Sequence, residues 1–375
     1  MSTKSKAYVA TSFSEALPPP RNTVGIGHWM KQNLFRTTYD AIFTIFGSYL
    51  LYLLITSSMN WMFFDAVFSA ESRNECRADG SGACWAIIGE RFTQFVYGFY
   101  PSEERWRVNL SGLLLLVAVV PLLFDKIPGR IYLFAYGLIY PVIAYLILTG
   151  FADNTLLPKV DTKLFGGIML TILVGITGIT FSLPLGILLA LGRRSDMILI
   201  SWICVAFIEF IRGVPLITLL FIASTMLNYF FPPGTSFDLL VRVLIMVTLF
   251  SAGYIAEVIR GGLQAIPKGQ QEAADALGLG YWQSTLLIIL PQALKISIPG
   301  IVNSFIGLFK DTTLVSIIGM LDPIGIGRAA LSDHKWAGLS TEMYLFVAVF
   351  FFLCCFAMSR YSMHLERKLH TGHKR

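Results

Sequence analysis

The chain has 375 residues, of which 55% are hydrophobic and 14% charged, and it carries a formal net charge of +6. A mean hydropathy of +0.66 is too high for a soluble protein whose surface must face water, so the bilayer is taken as its solvent. The positive charge follows from where the basic residues fall between apolar runs and implies no nucleic-acid partner.

A hydrocarbon core of about 30 Å takes roughly 20 apolar residues per helix, and windows of that kind predict about eight membrane-spanning helices. Residues 1–38 precede them as a cytoplasmic tail containing PPPR and no apolar run of signal-peptide type, so the first helix is expected to direct insertion itself. The spans fall at Tyr39–Met59, Leu110–Phe124, Ile131–Gly150, Gly166–Leu191, Ile198–Phe221, Leu239–Gly262, Leu294–Gly319 and Met343–Met358. The second is short, and its start is expected to take in part of Arg107–Asn109. A transmembrane β-barrel alternates apolar and polar residues over about ten positions, whereas FGGIMLTILVGITGITFSLPLGILLALG is apolar on all sides. The predicted class is an all-α integral membrane protein.

The organisation is uneven. Residues 39–150 read as an accessory three-helix region with an outer loop at 60–109, and 151–164 as a polar periplasmic linker. Five helices over 165–364 hold nearly all the unusual polar residues, and 365–375 form a second cytoplasmic tail. Basic residues gather on one side of the membrane: Lys4, Lys6, Arg21, Lys31, Arg36, Lys126, Arg130, Arg193, Arg194, Lys268, Lys295, Arg360, Arg367, Lys368, Lys374 and Arg375. Fewer lie opposite, where the long loop offsets them with Glu71, Glu75, Asp79, Glu103 and Glu104. Both termini are therefore expected in the cytoplasm. Cys76 and Cys84, in ECRADGSGACW of the outer loop, are placed to meet an oxidising compartment. A disulfide there would contribute about 2–3 kcal/mol; two free thiols or half of a metal site are the alternatives, and no His lies nearby to support metal.

No GxxxxGK[ST] phosphate loop, HExxH or GxSxG occurs, so the chain is not expected to be an enzyme. Three classes remain: a passive pore, a carrier driven by an ion gradient, and a conduit driven by a separate protein. The loop at 263–293 bears on that choice. In IPKGQQEAADALGLGYWQSTLLIILPQAL, helix-favouring Glu, Ala and Leu give way to Gly278 and Gly280 before a second helical run begins at Tyr281. Within a continuous helix each Gly costs about 1 kcal/mol relative to Ala, so two short helices joined at a glycine turn are predicted. Small Ala273, Ala274 and Ala276 would let another protein approach closely.

The residues Glu272-Ala273-Ala274, Gly278, Ile288 and Leu290-Pro291 fit, at every fixed position, the EAA---G---------I-LP signature of ABC importer transmembrane subunits. Over roughly 165–368, IEFIRGVPLI, YIAEVIRGGLQAIPKGQQEAADALG and LPQALKISIPGIVNSFIGLFKDTTLVSIIG resemble polar amino acid importer permeases of the histidine and glutamine type. The earlier helices, with CRADGSGACW and FYPSEERWR, look like the extended N-terminal half of M-type subunits of bacterial general L-amino acid permeases. The resemblance implies a five-helix type I importer core preceded by three extra helices, in the bacterial inner membrane. It implies two transmembrane subunits, a dimer of cytosolic ABC ATPases that binds ATP and Mg, and a periplasmic amino acid binding protein. The second permease would be a related Q-type chain, and this chain would hold no cofactor of its own. Glu272, Ala273, Ala274, Gly278, Ile288, Leu290 and Pro291 would couple it to the ATPase, with Ile288, Leu290 and Pro291 packing the loop against the bundle. A non-translocating structural or regulatory subunit and a gated channel are the competing functions.

Candidates for the substrate route come from charges at depth, which cost several kcal/mol unless paired or facing water. Glu209 and Arg212 lie one turn apart in the fifth span, and either pair with each other or line the pathway. Glu257 and Arg260 repeat the spacing nearer the cytoplasmic end, where a structural ion pair is expected. The seventh span carries Pro299-Gly300, Asn303, Gly307, Lys310 and Asp311, and is expected to be kinked or broken. Lys310 and Asp311 either neutralise each other or, with Asn303, meet the two charges of a zwitterion.

Overall fold

The computed structural model describes residues 25–79, 82–123, 130–152, 154–230, 232 and 237–369, and its regular elements there are all helical. Lys4, Lys6, Arg21, Lys126, Lys374, Arg375, the side chain of Arg130 and the expected second-span terminus at Phe124 lie outside the described residues. The chain divides into two compact units, residues 1–67 with 80–83 and residues 68–79 with 84–375.

In the first unit, α1 (Ile26–Asn33) precedes α2 (Thr38–Met59), which runs into a π-helical turn over Asn60–Phe64. A capping box fixes the start of α2: Asp40 N donates to Thr37 Oγ1 at 3.1 Å and Thr37 N donates to the Asp40 carboxylate at 3.0 Å. The stretch Thr38–Phe64 is long and apolar enough to cross a membrane, and no residue of α2 is buried. Ala83 N donates to Trp61 O and Val67 N to Ala83 O, both at 2.8 Å.

The second unit opens with α3 (Arg73–Asp79), α4 (Ala86–Tyr97), α5 (Arg105–Leu123) and α6 (Arg130–Thr149). It continues through α7 (Gly167–Arg193), α8 (Ile198–Gly213), α9 (Leu216–Phe221) and α10 (Leu239–Gln264). After the short helices α11 (Lys268–Ala276) and α12 (Tyr281–Ser284) come α13 (Leu290–Asp311), α14 (Pro323–Leu331) and α15 (Ser340–Leu369). Gly167–Arg193, Leu239–Gln264, Tyr281–Ile318 and Ser340–Leu369 meet the length and apolarity of a membrane span.

Helix α10 lies at the centre of two buried clusters. At one end of the bundle, Leu240, Val243 and Val247 meet Leu170 and Val174 of α7, Leu220 of α9 and Leu308 of α13. At the other, Ile255, Ile259 and Leu263 meet Ala190 of α7, Ile208 of α8 and Ile289 and Ala293 at the start of α13. Tyr140, Ala144 and Leu148 of α6 belong to the first cluster, so the expected division at residue 150 is no packing boundary. The linker is stitched to the same body. Buried Tyr100 donates to Leu148 O at 2.8 Å, with burial pushing its phenol up to about 12 so that it stays a donor. Arg107, 0% exposed, pairs with Glu104 at 2.8 Å and donates to Pro158 O at 2.9 Å.

Three expectations about the spans need correction. The fifth is two helices, α8 and Leu216–Met226, bent by 101°, because Pro215 holds the preceding Val214 extended at φ −110° and ψ 129°. Of the kink or break expected in the seventh, the break does not occur: α13 is continuous through Pro299, which lies on an exposed side, and the departures are a π turn at Thr285–Ile289 and a 3₁₀ stretch at Thr312–Ile318. The eighth, α15, extends well past Met358 and takes in part of the expected C-terminal tail.

The expected disulfide is present, Cys76 to Cys84 with Cα atoms 5.8 Å apart. Cys84 N donates to Glu342 Oε1 at 3.2 Å, and Arg91 pairs with Asp333 at 2.5 Å. The loop that carries the disulfide is therefore bound to the first turn of α15, and α4 to the segment between α14 and α15.

Candidate functional site

Helices α10 and α13 pack side by side, and the chain between them projects α11 from their shared end. Pro267 precedes α11 with ψ 138°, breaking it from α10. The far end closes as a Schellman turn: Gly278 N donates to Asp275 O at 2.9 Å and Leu279 N to Ala274 O at 3.2 Å, with Gly278 at φ +75°. That left-handed backbone costs any residue with a Cβ about 1–2 kcal/mol, which is why glycine stands there. The predicted pair of short helices about a glycine turn is thus what forms.

The signature residues separate by exposure. Glu272, Ala273 and Gly278 face outward, together with Leu277, which is 77% exposed. Ala274 is buried against the chain's own body, so it takes no part in the outward surface expected of the alanines. Leu290 is buried and Ile288 packs on the cluster around α10. Pro291 does not pack inward as expected; it is exposed at the start of α13, directly after the π turn at Thr285–Ile289.

Glutamines that sequence reasoning passed over hold α11 to the bundle. Ser284 Oγ donates to Gln271 Oε1 and Gln292 Nε2 to Gln270 Oε1, each at 3.2 Å. Gln292 Nε2 also reaches Ile288 O at 2.9 Å, and Gln271 Nε2 reaches Asp275 at 3.0 Å. Amides both donate and accept, so the run of Gln after Pro267 was the available signal.

Charges that the sequence sets out as two separate sets one turn apart form one network above α11. Glu257 accepts from Arg260 Nε at 2.9 Å, as expected, and also pairs with Arg193 at 3.3 Å and Arg212 at 4.0 Å. Glu209 pairs with Arg193 at 2.9 Å, so of the two alternatives for Glu209 and Arg212 the mutual pair is not made among the described residues. Arg212 instead lies 5.9 Å from the Tyr254 ring centre. Arg194 adds a bond of 3.4 Å to Leu263 O. The ends of α7, α8 and α10 are thereby tied by charge next to the helix that leads into α11.

Further along α13, Asn303, Ser304, Gly307 and Asp311 line a cavity of about 270 Å³ together with Ser251 and Tyr254 of α10. Lys310 is exposed and outside that lining, and no ion pair joins it to Asp311 among the described residues. Arg242, another buried cation the sequence did not bring forward, donates to Ala223 O and Ser224 O at 2.9 Å. It satisfies carbonyls of a π turn at Ile222–Met226 and so fixes the chain after the α8–α9 bend.

Residues 182–371 match the family of binding-protein-dependent transport system inner membrane components. The glutamate/glutamine/aspartate/asparagine transport system permease protein BztC of Rhodobacter capsulatus is 45% identical over 98% of this chain and 99% of its own length. The inner membrane amino-acid ABC transporter permease protein YhdY of Escherichia coli K12 is 47% identical, covering 95% of this chain and 96% of its own. A crystal structure of an amino acid ABC transporter with histidines is similar at 28% identity and a TM-score of 0.48, covering 54% of this chain and 92% of that one.

Proposed function

We propose, from the premise that this chain belongs to the family of binding-protein-dependent transport system inner membrane components, that α11 is the contact through which ATP hydrolysis drives amino acid import. The chain is a multi-pass inner-membrane protein and a transmembrane subunit of an ABC importer, itself without enzymatic activity, and the family works with an ATPase and a binding protein. One observation carries the mechanism. Glu272, Ala273, Leu277 and Gly278 lie exposed on a short helix whose other side is fastened to α12 and α13.

Seated in a groove on the ATPase, that helix would move as ATP closes the ATPase dimer. Its rigid attachment would pass the motion to α10 and α13, exchanging inward-open and outward-open states. ATP and Mg belong to the ATPase in this reading, and the assembled complex hydrolyses ATP. Both termini lie in the cytoplasm, and the second permease is a related Q-type chain. The cavity beside Asn303 and Asp311 forms part of the substrate route, offering a carboxylate and an amide to a zwitterion. Acidic amino acids and their amides are the proposed cargo, supported by the substrates in the name of the Rhodobacter relative.

Uptake of labelled L-amino acids into liposomes holding the complex, with ATP and binding protein each supplied or withheld, tests the reading. Uptake is expected only with both, and glutamate, glutamine, aspartate and asparagine should compete best. Glu272→Arg should leave the complex folded yet lower ATP-driven uptake by more than about tenfold, since it reverses a charge at a helix-to-protein contact. Flux without ATP would return the chain to the channel class. Uptake unaffected by alanine at both Asn303 and Asp311 would place the route in the partner permease.

A further inference from the structure

The segment before the first span is built differently from the rest of the chain. With about 3.6 residues per turn, Ile26, Trp29 and Met30 share one side of α1, while His28, Lys31 and Gln32 share the other. The apolar side is open: Ile26 is 80% exposed and Trp29 58%, and Phe35 just beyond is also exposed. Around the polar side His28, Lys31, Gln32, Asn33, Phe35 and Arg36 line a cavity of about 630 Å³. Every formally charged residue from Gly25 to Tyr39 is basic. The next acidic residue along the chain, Asp40, is occupied in the capping box with Thr37.

Position decides what can cover this surface. Leu34–Thr37, the four residues between α1 and α2, reach at most about 14 Å. They are also pinned, with Thr44 Oγ1 donating to Leu34 O at 2.8 Å and Phe35 N to Met30 O at 3.2 Å. Because α2 begins a span, α1 is held at the membrane boundary. An apolar side carrying Trp with Lys and Arg beside it is the arrangement that settles there.

We propose that α1 and Arg36 bind an anionic phospholipid. Its phosphate lies between Lys31 and Arg36, and its acyl chains run along Ile26, Trp29 and Met30 toward α2. Charge complementarity selects the anionic headgroup, and the adjoining apolar side selects a lipid over free phosphate. The inference does not depend on the coupling role of α11 or on the cargo.

Photo-crosslinking tests it on the full chain within its purified complex in a neutral detergent. A photoactivatable phosphatidylglycerol should label residues 26–36, as mapped by mass spectrometry. Phosphatidylglycerol micelles should compete, whereas phosphatidylcholine and inorganic phosphate should not. Each basic residue near a membrane surface contributes about fivefold in lipid affinity, so Lys31→Gln with Arg36→Gln should weaken labelling about 25-fold. Lys31→Arg with Arg36→Lys should restore it, and Lys159→Gln with Lys163→Gln, far along the chain, should change nothing. Equal labelling by a phosphatidylcholine probe, or full labelling of the double Gln variant, would overturn the proposal and leave a charge-blind apolar contact or a second protein as the occupant. Competition by inorganic phosphate would overturn the lipid as the source. The competition series uses the unsubstituted chain, so it decides the matter even if a variant fails to assemble.

Discussion

At the residue scale, Asp322 is the side chain whose environment most conflicts with its chemistry. It caps α14, its Oδ1 accepting from Gly325 N at 2.8 Å, yet it is 0% exposed and its Oδ2 has no hydrogen-bond partner among the described residues. Burial pushes its carboxyl from 3.8 up to about 6, against the smaller opposing pull of the Gly325 and Ile324 amides and Arg328. The folded pKa is the higher one, so the fold holds the proton more tightly than the unfolded chain. The favourable term is complete below about pH 4 and is lost as pH rises through about 6, amounting to at most about 3 kcal/mol. Asn caps a helix as well as Asp and carries no charge. Asp322→Asn is therefore expected to raise thermal stability at pH 7 and to remove the decline between pH 4 and 6. Thermal unfolding of the detergent-solubilised complex across that range checks both; a parallel decline in the variant would assign it to another group.

At the scale of elements, the ion network shows which contacts bind one helix to the next. Among the described residues, Glu257 is about one-fifth exposed and serves three arginines, whereas Glu209 is 54% exposed and serves Arg193 alone. Losing a charged hydrogen-bond acceptor costs about 1.5–3 kcal/mol, and losing an exposed ion pair less than about 1 kcal/mol. Glu257→Gln should therefore destabilise the bundle and depress ATP-driven uptake clearly more than Glu209→Gln, read by thermal unfolding and transport side by side. Equal effects would mean the network contributes no directed linkage. The same network marks what the sequence made legible. Apolar runs revealed the spans because bilayer thickness sets their length, and Gly278 revealed the turn because only glycine suits a left-handed backbone. Spacing of three residues revealed Glu257–Arg260 but left Glu209 and Arg212 open between a mutual pair and the pathway, since the partner Arg193 comes from another helix and no local rule reaches it. The bend at Val214 was legible in Pro215, but the apolar content on both sides of it reads as one span. The run of Gln in α11 hints at the glutamine bonds beneath it, but their partners Ser284 and Gln292 depend on how α12 returns to the bundle, which no local pattern gives.

At the scale of the whole molecule, the drive proposed through α11 would require that α10 and α13 move as one body, and their seam is close-packed. Gly262 of α10 sits where a Cβ would stand 2.6 Å from the Ala293 carbonyl oxygen and closer still to Ser297 Oγ, while Gly300 of α13 fits against Val258. Ser297 Oγ bonds back across the seam to Val258 O at 3.3 Å. Glycine here is what lets the backbones meet, as small residues do between helices in membranes. Gly261, one position earlier in the same helix, faces open space, and a methyl group there would meet nothing within 4 Å. The two neighbours thus separate seam packing from helix propensity. Gly262→Ala should wedge α10 from α13 against backbone that cannot yield, costing about 1–3 kcal/mol and lowering the uptake obtained per ATP hydrolysed. Gly261→Ala should be neutral or stabilising by about 0.5–1 kcal/mol and transport normally. Uptake and ATPase activity measured together on both variants decide it: if Gly262→Ala keeps the normal ratio of transport to hydrolysis, α10 and α13 need not move as a rigid pair, and the drive from α11 must pass through the network at Glu257 instead.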